Sequence, residues 1–393
     1  MSAGYAGPQP RNVHIPEARA GQYYERLGVR RVVNAAATLT RLGGSIMTRP
    51  VIEAMADAAG CFVDMVELQE RIGTRLAELL HNDACYVVSG AASGITHAVA
   101  SCIAGDDPLL VAAFPYLNGV ERREVIIARS QRNGFDYAAR QTGARIIEVD
   151  NSAAALEQAL SPRTACVLCF AGGHYGTSVE SVKEVVEIVH RSGVPVLVDA
   201  AAQVPPISSL WRYTREAGAD AVIVSGGKGL CGPQSSGMVL GTAKIIEGCR
   251  ANGNPNTSIG RPMKVGKEEM VGLLAAVEWY LAQDEAVTIG SYEASVELWF
   301  NGLAGVPGIN ASRGYPSEAG QPYGRAIVAF TDESQVSRDQ VIARLWDGDP
   351  RIAVHALGDN AIALNAQTLA PGEDGLVLQR LTAALGAAPD TPP

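Results

Sequence analysis

The chain has 393 residues, 47% of them hydrophobic and 19% charged, enough to bury a large core in two domains or in one large domain with an appendage. Its formal net charge is -9, and it has no lysine- or arginine-rich block, so it lacks the electrostatic footprint of a nucleic-acid or anionic-membrane binder. Seven scattered cysteines in apolar surroundings read mostly as buried thiols rather than a disulfide framework, and no His, Cys, Asp or Glu cluster has metal-ligand spacing.

The first residues, Met1 to Gly28, are polar and rich in Pro, Gly and charge, without the apolar run of a signal peptide or anchor, so a cytoplasmic protein is expected. Arg49 to Leu80 follows as a long helical pattern that Gly60 or Gly73 interrupts. From about Asp83 to Gly241, short β-branched runs alternate with helical patterns, which predicts a mostly parallel sheet covered by helices. The strands are expected at Cys85 to Val88, Glu124 to Ala128, Arg145 to Val149, Ala165 to Phe170, Val194 to Asp199, Ala221 to Val224 and Gly237 to Leu240. Ser93 to Ile103, Asp136 to Gly143, Ser181 to Ser192 and Leu210 to Gly218 read as helices between them.

Cys166 and Cys169 form a C-x-x-C, but on the strand Ala165 to Phe170 their side chains point to opposite faces, which argues against redox or zinc chemistry. Lys267 to Gln283 is an amphipathic helix. Ser291 to Leu385 mixes helix and strand as a smaller C-terminal domain, and Ala387 to Pro393 reads as a frayed tail. The expected division is an N-terminal arm and entrance segment at 1–48, a large domain at 49–266, and a connecting helix with a small domain at 267–393.

Open α/β sheets bind ligands beyond the carboxyl ends of their strands, and three such ends carry a matched set. After Val88 the chain enters small residues and a helix, where the N–H groups of Ala91, Ala92 and Ser93 and the Ser93 hydroxyl would meet an anion. Tight packing alone also explains small residues there. Asp199 ends an apolar strand; a protonated pyridine nitrogen would keep such a carboxylate ionised, and helix N-capping is the bland alternative. Lys228 follows a third strand among glycines, three residues after Ser225; an amine there suits imine formation, and a surface lysine in a glycine turn is the alternative.

In this order and spacing, the set resembles the fold-type I pyridoxal-5′-phosphate (PLP) enzymes. The passages Arg31–Gly44, Ser89–Gly94, Val198–Pro205 and Gly260–Glu269 resemble the selenocysteine synthase-related branch of that fold, and within it the D-glucosaminate-6-phosphate ammonia-lyase group. The resemblance implies a mostly parallel large domain with a smaller α+β C-terminal domain, and a homodimer or larger assembly with a shared site. It implies PLP as cofactor and a small-molecule amino acid as substrate.

It further implies that Lys228 carries PLP as a Schiff base and that Asp199 partners the pyridinium. Ala201 then faces the ring, Gln203 reaches the phenolic oxygen and Ser225 the phosphate. Gln131 falls where many relatives place a histidine over the ring. Thr257 and Ser258 are expected at the phosphate, from the same or a neighbouring subunit, with Asn34, Thr38 and Thr40 at the entrance. Arg261 suits an anionic substrate group, or else a salt bridge at the base of the Lys267 helix. His174, in a loop after a strand, is a further substrate-side candidate, whereas His97 and His190 read as structural.

The reaction implied is elimination of a β substituent from a 2-amino acid. Transferase, aldolase and racemase chemistry share the same lysine and remain the alternatives, with a catalytically inactive binding module as the non-enzymatic one.

Overall fold

The computed structural model describes residues 21–386. Among them, twelve strands form two sheets: β1 (Val32–Ala35), β2 (Ala84–Val88), β3 (Glu124–Ala128), β4 (Arg145–Val149), β5 (Thr164–Phe170), β6 (Val196–Asp199), β7 (Ala221–Ser225), β8 (Gly237–Gly241), β9 (Ile309–Gly314), β10 (Arg325–Phe330), β11 (Arg351–Leu357) and β12 (Ala361–Leu364). The larger sheet runs β2-β8-β7-β6-β5-β3-β4. Its pairs are parallel except those made by β8, which is antiparallel to both β7 and β2.

The near-continuous apolar strands follow from burial on both faces. Every residue of β5 and β6 is buried, and successive residues alternate between two cores: Val167, Val196 and Val198 on one face, Leu168 and Leu197 on the other. Truncating a side chain such as Leu197 to alanine there costs about 2–5 kcal/mol. Cys166 and Cys169 fall on opposite faces by the same alternation.

The long N-terminal helical pattern breaks at Gly60, giving helices Arg49–Ala59 and Met65–Leu79, while Gly73 stays inside the second helix. Asp64 starts that second helix by accepting from the Val66 and Glu67 N–H groups. Helix Lys267–Leu281 packs on Arg49–Ala59 and leads into Glu285–Gly302.

The smaller sheet runs β1-β11-β12-β10-β9, over a core that includes Val33, Trp299, Val328, Ile362 and Leu381. The entrance segment is therefore not a free arm throughout. Its strand β1 pairs in parallel with β11, and the chain then crosses to the large sheet as a strap. No helix among the described residues is long and apolar enough to cross a membrane. The tail from Ala387 to Pro393 and most of Met1 to Gly28 lie outside the described residues.

Candidate active site

Beyond the carboxyl ends of β2, β5, β6 and β7 lies a cavity of about 490 Å³. At one wall β2 passes through Ser89 and Gly90 into helix Ala91–Ala104. Gly90 turns the chain at φ 141°, open only to glycine, and no side chain caps the helix. The first-turn N–H groups of an uncapped helix are free donors for an anion. Ala91 and Ala92 line the cavity, and Ser93 sits one step deeper.

Asp199 ends β6, is 8% exposed, and accepts at Oδ1 from the Ala201 N–H at 3.0 Å. Burial pushes its carboxyl pKa up; Lys228 and the Ala201 hydrogen bond oppose the rise. Lys228, half-buried in the turn after β7, is displaced in the opposite direction. Burial pushes its ammonium down from the usual lysine value, against the pull of Asp199. They are the one cationic and the one acidic side chain among the described residues lining the cavity.

The strap after β1 closes the cavity from the small-sheet side. Thr38, Thr40 and Gly44 line it, Ser45 Oγ donates to Gly227 O at 3.0 Å, and Gln234 Nε2 donates to Thr40 O at 2.8 Å. At Gly44, with φ +77°, a Cβ would collide with the Gly227 carbonyl, so the strap approaches the lysine turn backbone to backbone.

The cavity thus gathers Ala91, Ala92, Thr38, Thr40, Asp199, Ala201, Ser225 and Lys228. Other expected residues are engaged elsewhere. Gln131 does not cover the cavity: its Oε1 accepts from Phe170 N–H at 2.8 Å and its Nε2 donates to Thr177 Oγ1 at 2.9 Å, so it faces a separate 280 Å³ cavity. The Gln203 amide nitrogen donates to Ala319 O at 2.6 Å and Ala171 O at 3.4 Å, tying β6 to the small-sheet side rather than reaching into the cavity.

Asn34 holds the turn at Ala37, accepting from Ala36 N–H at 3.0 Å and donating to Ala37 O at 2.8 Å. Ser258 Oγ donates to Asn252 O at 2.6 Å, while Thr257 and Arg261 are exposed on their own chain and do not line the cavity. Arg261 makes no salt bridge among the described residues; at the base of the Lys267 helix it is Lys267 that pairs with Glu268. The His174 side chain lies outside what is described.

Residues that sequence reasoning passed over complete the wall: Phe135, Phe170, Tyr175, Gln234, Ser235 and Ala319. Phe135 is 61% exposed on a helical turn that Asp136 ties to two arginines. Burial raises the proton affinity of that carboxyl, but hydrogen bonds from Arg132 (2.6 Å) and Arg140 (2.9 Å) more than offset it. The i, i+4 spacing of Arg132, Asp136 and Arg140 was the available signal for the clamp; nothing in the sequence aims Phe135 at the cavity.

An acid at one wall, an uncapped helix end at another, a lysine of lowered proton affinity and small Ala201 alongside fit a pyridine ring, its phosphate and its aldehyde. The aminotransferase class-V family profile matches residues 125–253. D-glucosaminate-6-phosphate ammonia lyase of Salmonella typhimurium (strain 14028s / SGSC 2262) is 32% identical over 374 residues, covering 91% of this chain and 96% of that protein. A 5'-C-glycyluridine monooxygenase-decarboxylase of a Streptomyces species is 34% identical over 299 residues, 73% of this chain and 72% of that one. A solved D-glucosaminate-6-phosphate ammonia-lyase structure superposes with a TM-score of 0.80 at 30% identity, covering 95% of this chain and 100% of the other.

Fold and site together define a PLP-dependent enzyme of fold type I. Within that class the chain belongs to the family that includes D-glucosaminate-6-phosphate ammonia lyase.

Proposed function

We propose that the enzyme is a lyase that removes a β-hydroxyl or similar group from a 2-amino acid with an anionic tail, releasing a 2-oxo acid and ammonia. The observation that carries this is the Lys228–Asp199 pair, the one cationic and the one carboxylate side chain among the described residues lining the cavity, shifted in opposite directions. Likeness to the ammonia lyase supports elimination and a sugar-acid substrate bearing phosphate.

Bound PLP supplies an electron sink conjugated to the substrate α carbon. The Asp199 carboxylate holds the proton on the pyridine nitrogen. The N–H groups of Ala91, Ala92 and Ser93, with the Ser225 hydroxyl, hold the cofactor phosphate. Lys228 Nζ, whose proton affinity burial lowers, takes the α proton and delivers it to the departing β-hydroxyl, which leaves as water. One water returns in hydrolysis, giving the 2-oxo acid and ammonia.

Arg261 and Thr257, exposed on their own chain, reach the cavity of a second copy in a cytoplasmic homodimer, where Arg261 grips the substrate's anionic tail. The arm at 1–48, the cofactor-binding unit at 49–266 and the small unit at 267–393 then act as one protomer.

The test is to incubate the holoenzyme with 2-amino-3-hydroxy acids, with and without a terminal phosphate, and to measure ammonia and 2-oxo acid. Stoichiometric release, faster with the phosphate, is expected. Amino transfer, retro-aldol cleavage or racemisation without ammonia would overturn elimination. Oxygen-dependent decarboxylation would instead establish a second reading, supported by the 34% identity to the Streptomyces enzyme.

A further inference from the structure

His97 lies one turn beyond Ser93 on helix Ala91–Ala104 and is 1% exposed. Its Nδ1 is 2.7 Å from the Ser93 carbonyl oxygen and 3.3 Å from Ser93 Oγ. A carbonyl oxygen only accepts, so Nδ1 carries the hydrogen. A protonated Nδ1 has no lone pair to offer the Ser93 hydroxyl. The hydroxyl oxygen therefore faces the N–H, and its own hydrogen stays free to donate. Among the described residues that hydrogen has no other protein acceptor, at a helix end with no side-chain cap.

The other ring nitrogen is occupied by contact. Nε2 is a bare lone pair set against Gly260, where a Cβ would collide with it and with the Asn252 carbonyl. Gly260 N–H donates to Asn252 O at 2.9 Å, the Tyr86 ring lies 5.6 Å from the His97 ring, and Tyr86 OH donates to Asn254 O at 3.4 Å. The far end of the loop is tied as well, because Ser89 Oγ, just before Gly90, donates to Met263 O at 3.0 Å. The loop carrying Thr257, Ser258 and Arg261 is thus seated on the helix that opens at Ala91. Burial lowers the proton affinity of His97, against the pull of the Ser93 carbonyl, which favours this neutral tautomer.

The geometry points to His97 as a positioning residue that aims the Ser93 hydroxyl at the cofactor phosphate and seats the Arg261 loop against the same helix. The inference rests on the proposed placement of that phosphate at Ala91 to Ser93. Two substitutions separate the two duties. His97→Asn puts an amide N–H donor near the Nδ1 position and gives up the Gly260 contact; His97→Gln puts its amide near the Nε2 position and gives up the donor to Ser93.

The experiment strips the holoenzyme of PLP, titrates it back for wild type, S93A, H97N, H97Q and S93A/H97Q, and follows the bound phosphate by phosphorus NMR, with folding checked by circular dichroism. Expected are an about tenfold weaker PLP affinity and a shifted phosphorus resonance in S93A and H97Q, the effect of one hydrogen bond to a charged group. H97N should stay within about threefold of wild type, and the double variant should be no weaker than S93A. Losses that multiply in the double variant, or a folded H97Q with wild-type affinity and resonance, overturn the inference. A wild type that takes up no PLP would instead overturn the reading beneath it.

Discussion

The two sides of the active site are built by different means. The inner wall, at the ends of β2, β6 and β7, is set by sheet topology. Once those strands lie in one sheet, Ala91, Asp199 and Lys228 converge, because each sits at or a fixed step beyond a strand end. The outer rim, made by Phe135 and the strap, is set by side-chain hydrogen bonds that no strand register dictates. Under the proposed function, chemistry needing sub-ångström placement falls to the wall and recognition of the substrate's variable part to the rim.

The largest effect expected from breaking this arrangement is at Lys228. Lys228→Ala should abolish the PLP label fixed by borohydride reduction and cut turnover by about a thousandfold or more, general acid–base catalysis alone being worth about 10²–10⁴-fold. In the cofactor-free enzyme, burial lowers the Lys228 proton affinity below the usual 10.5, so in that window the unfolded chain holds more protons than the folded one. This group's contribution to stability should accordingly rise with pH up to about 10.5, and its acylation by a neutral reagent should level off at lower pH than that of surface lysines. A labelling profile matching surface lysines would contradict a half-buried amine.

Next in size is Asp199→Asn, which removes the carboxylate proposed to face the ring nitrogen and should lower kcat about a hundredfold while leaving cofactor attached to Lys228. Full activity in this variant would mean that the end of β6 does not face the ring. Arg261→Ala should act differently, raising KM for a phosphate-bearing substrate about tenfold or more with little change in kcat, if its grip is equal in ground and transition states. A fall in kcat at constant KM would move Arg261 from rim to wall.

The same contrast explains what the sequence discloses. The seven strands of the large sheet, the break in the long N-terminal pattern and the split of Cys166 and Cys169 follow from periodicity, because burial on both faces leaves a strong apolar signal. Pairing of β1 with β11 had none: Val32–Ala35 is four residues long and its partner begins at Arg351, a contact decided by tertiary packing. On the wall, residue type and distance from a strand end were enough to nominate Asp199 and Lys228. On the rim they pointed to Gln131, Gln203 and Asn34, whose amides here bond backbone groups in turns and strand ends that cannot be foreseen without the fold.

The smallest expected effect falls on Gln131. The pairing of β3 with β5 ends at Ile126 and Val167, and beyond it the Phe170 N–H turns to the Gln131 side chain. Gln131→Leu keeps the volume but leaves that N–H and the Thr177 hydroxyl without this partner, which should cost about 1–3 kcal/mol of stability. Because Gln131 faces the neighbouring cavity, kcat and PLP affinity should stay within about threefold of wild type once the protein is folded. A residue covering the cofactor ring would behave in the opposite way, with near-native melting and a displaced PLP absorption band. Measuring both on the same variant decides between the two: loss of stability with an unshifted band assigns Gln131 to the splayed strand ends, and a shifted band with unchanged stability returns it to the cavity.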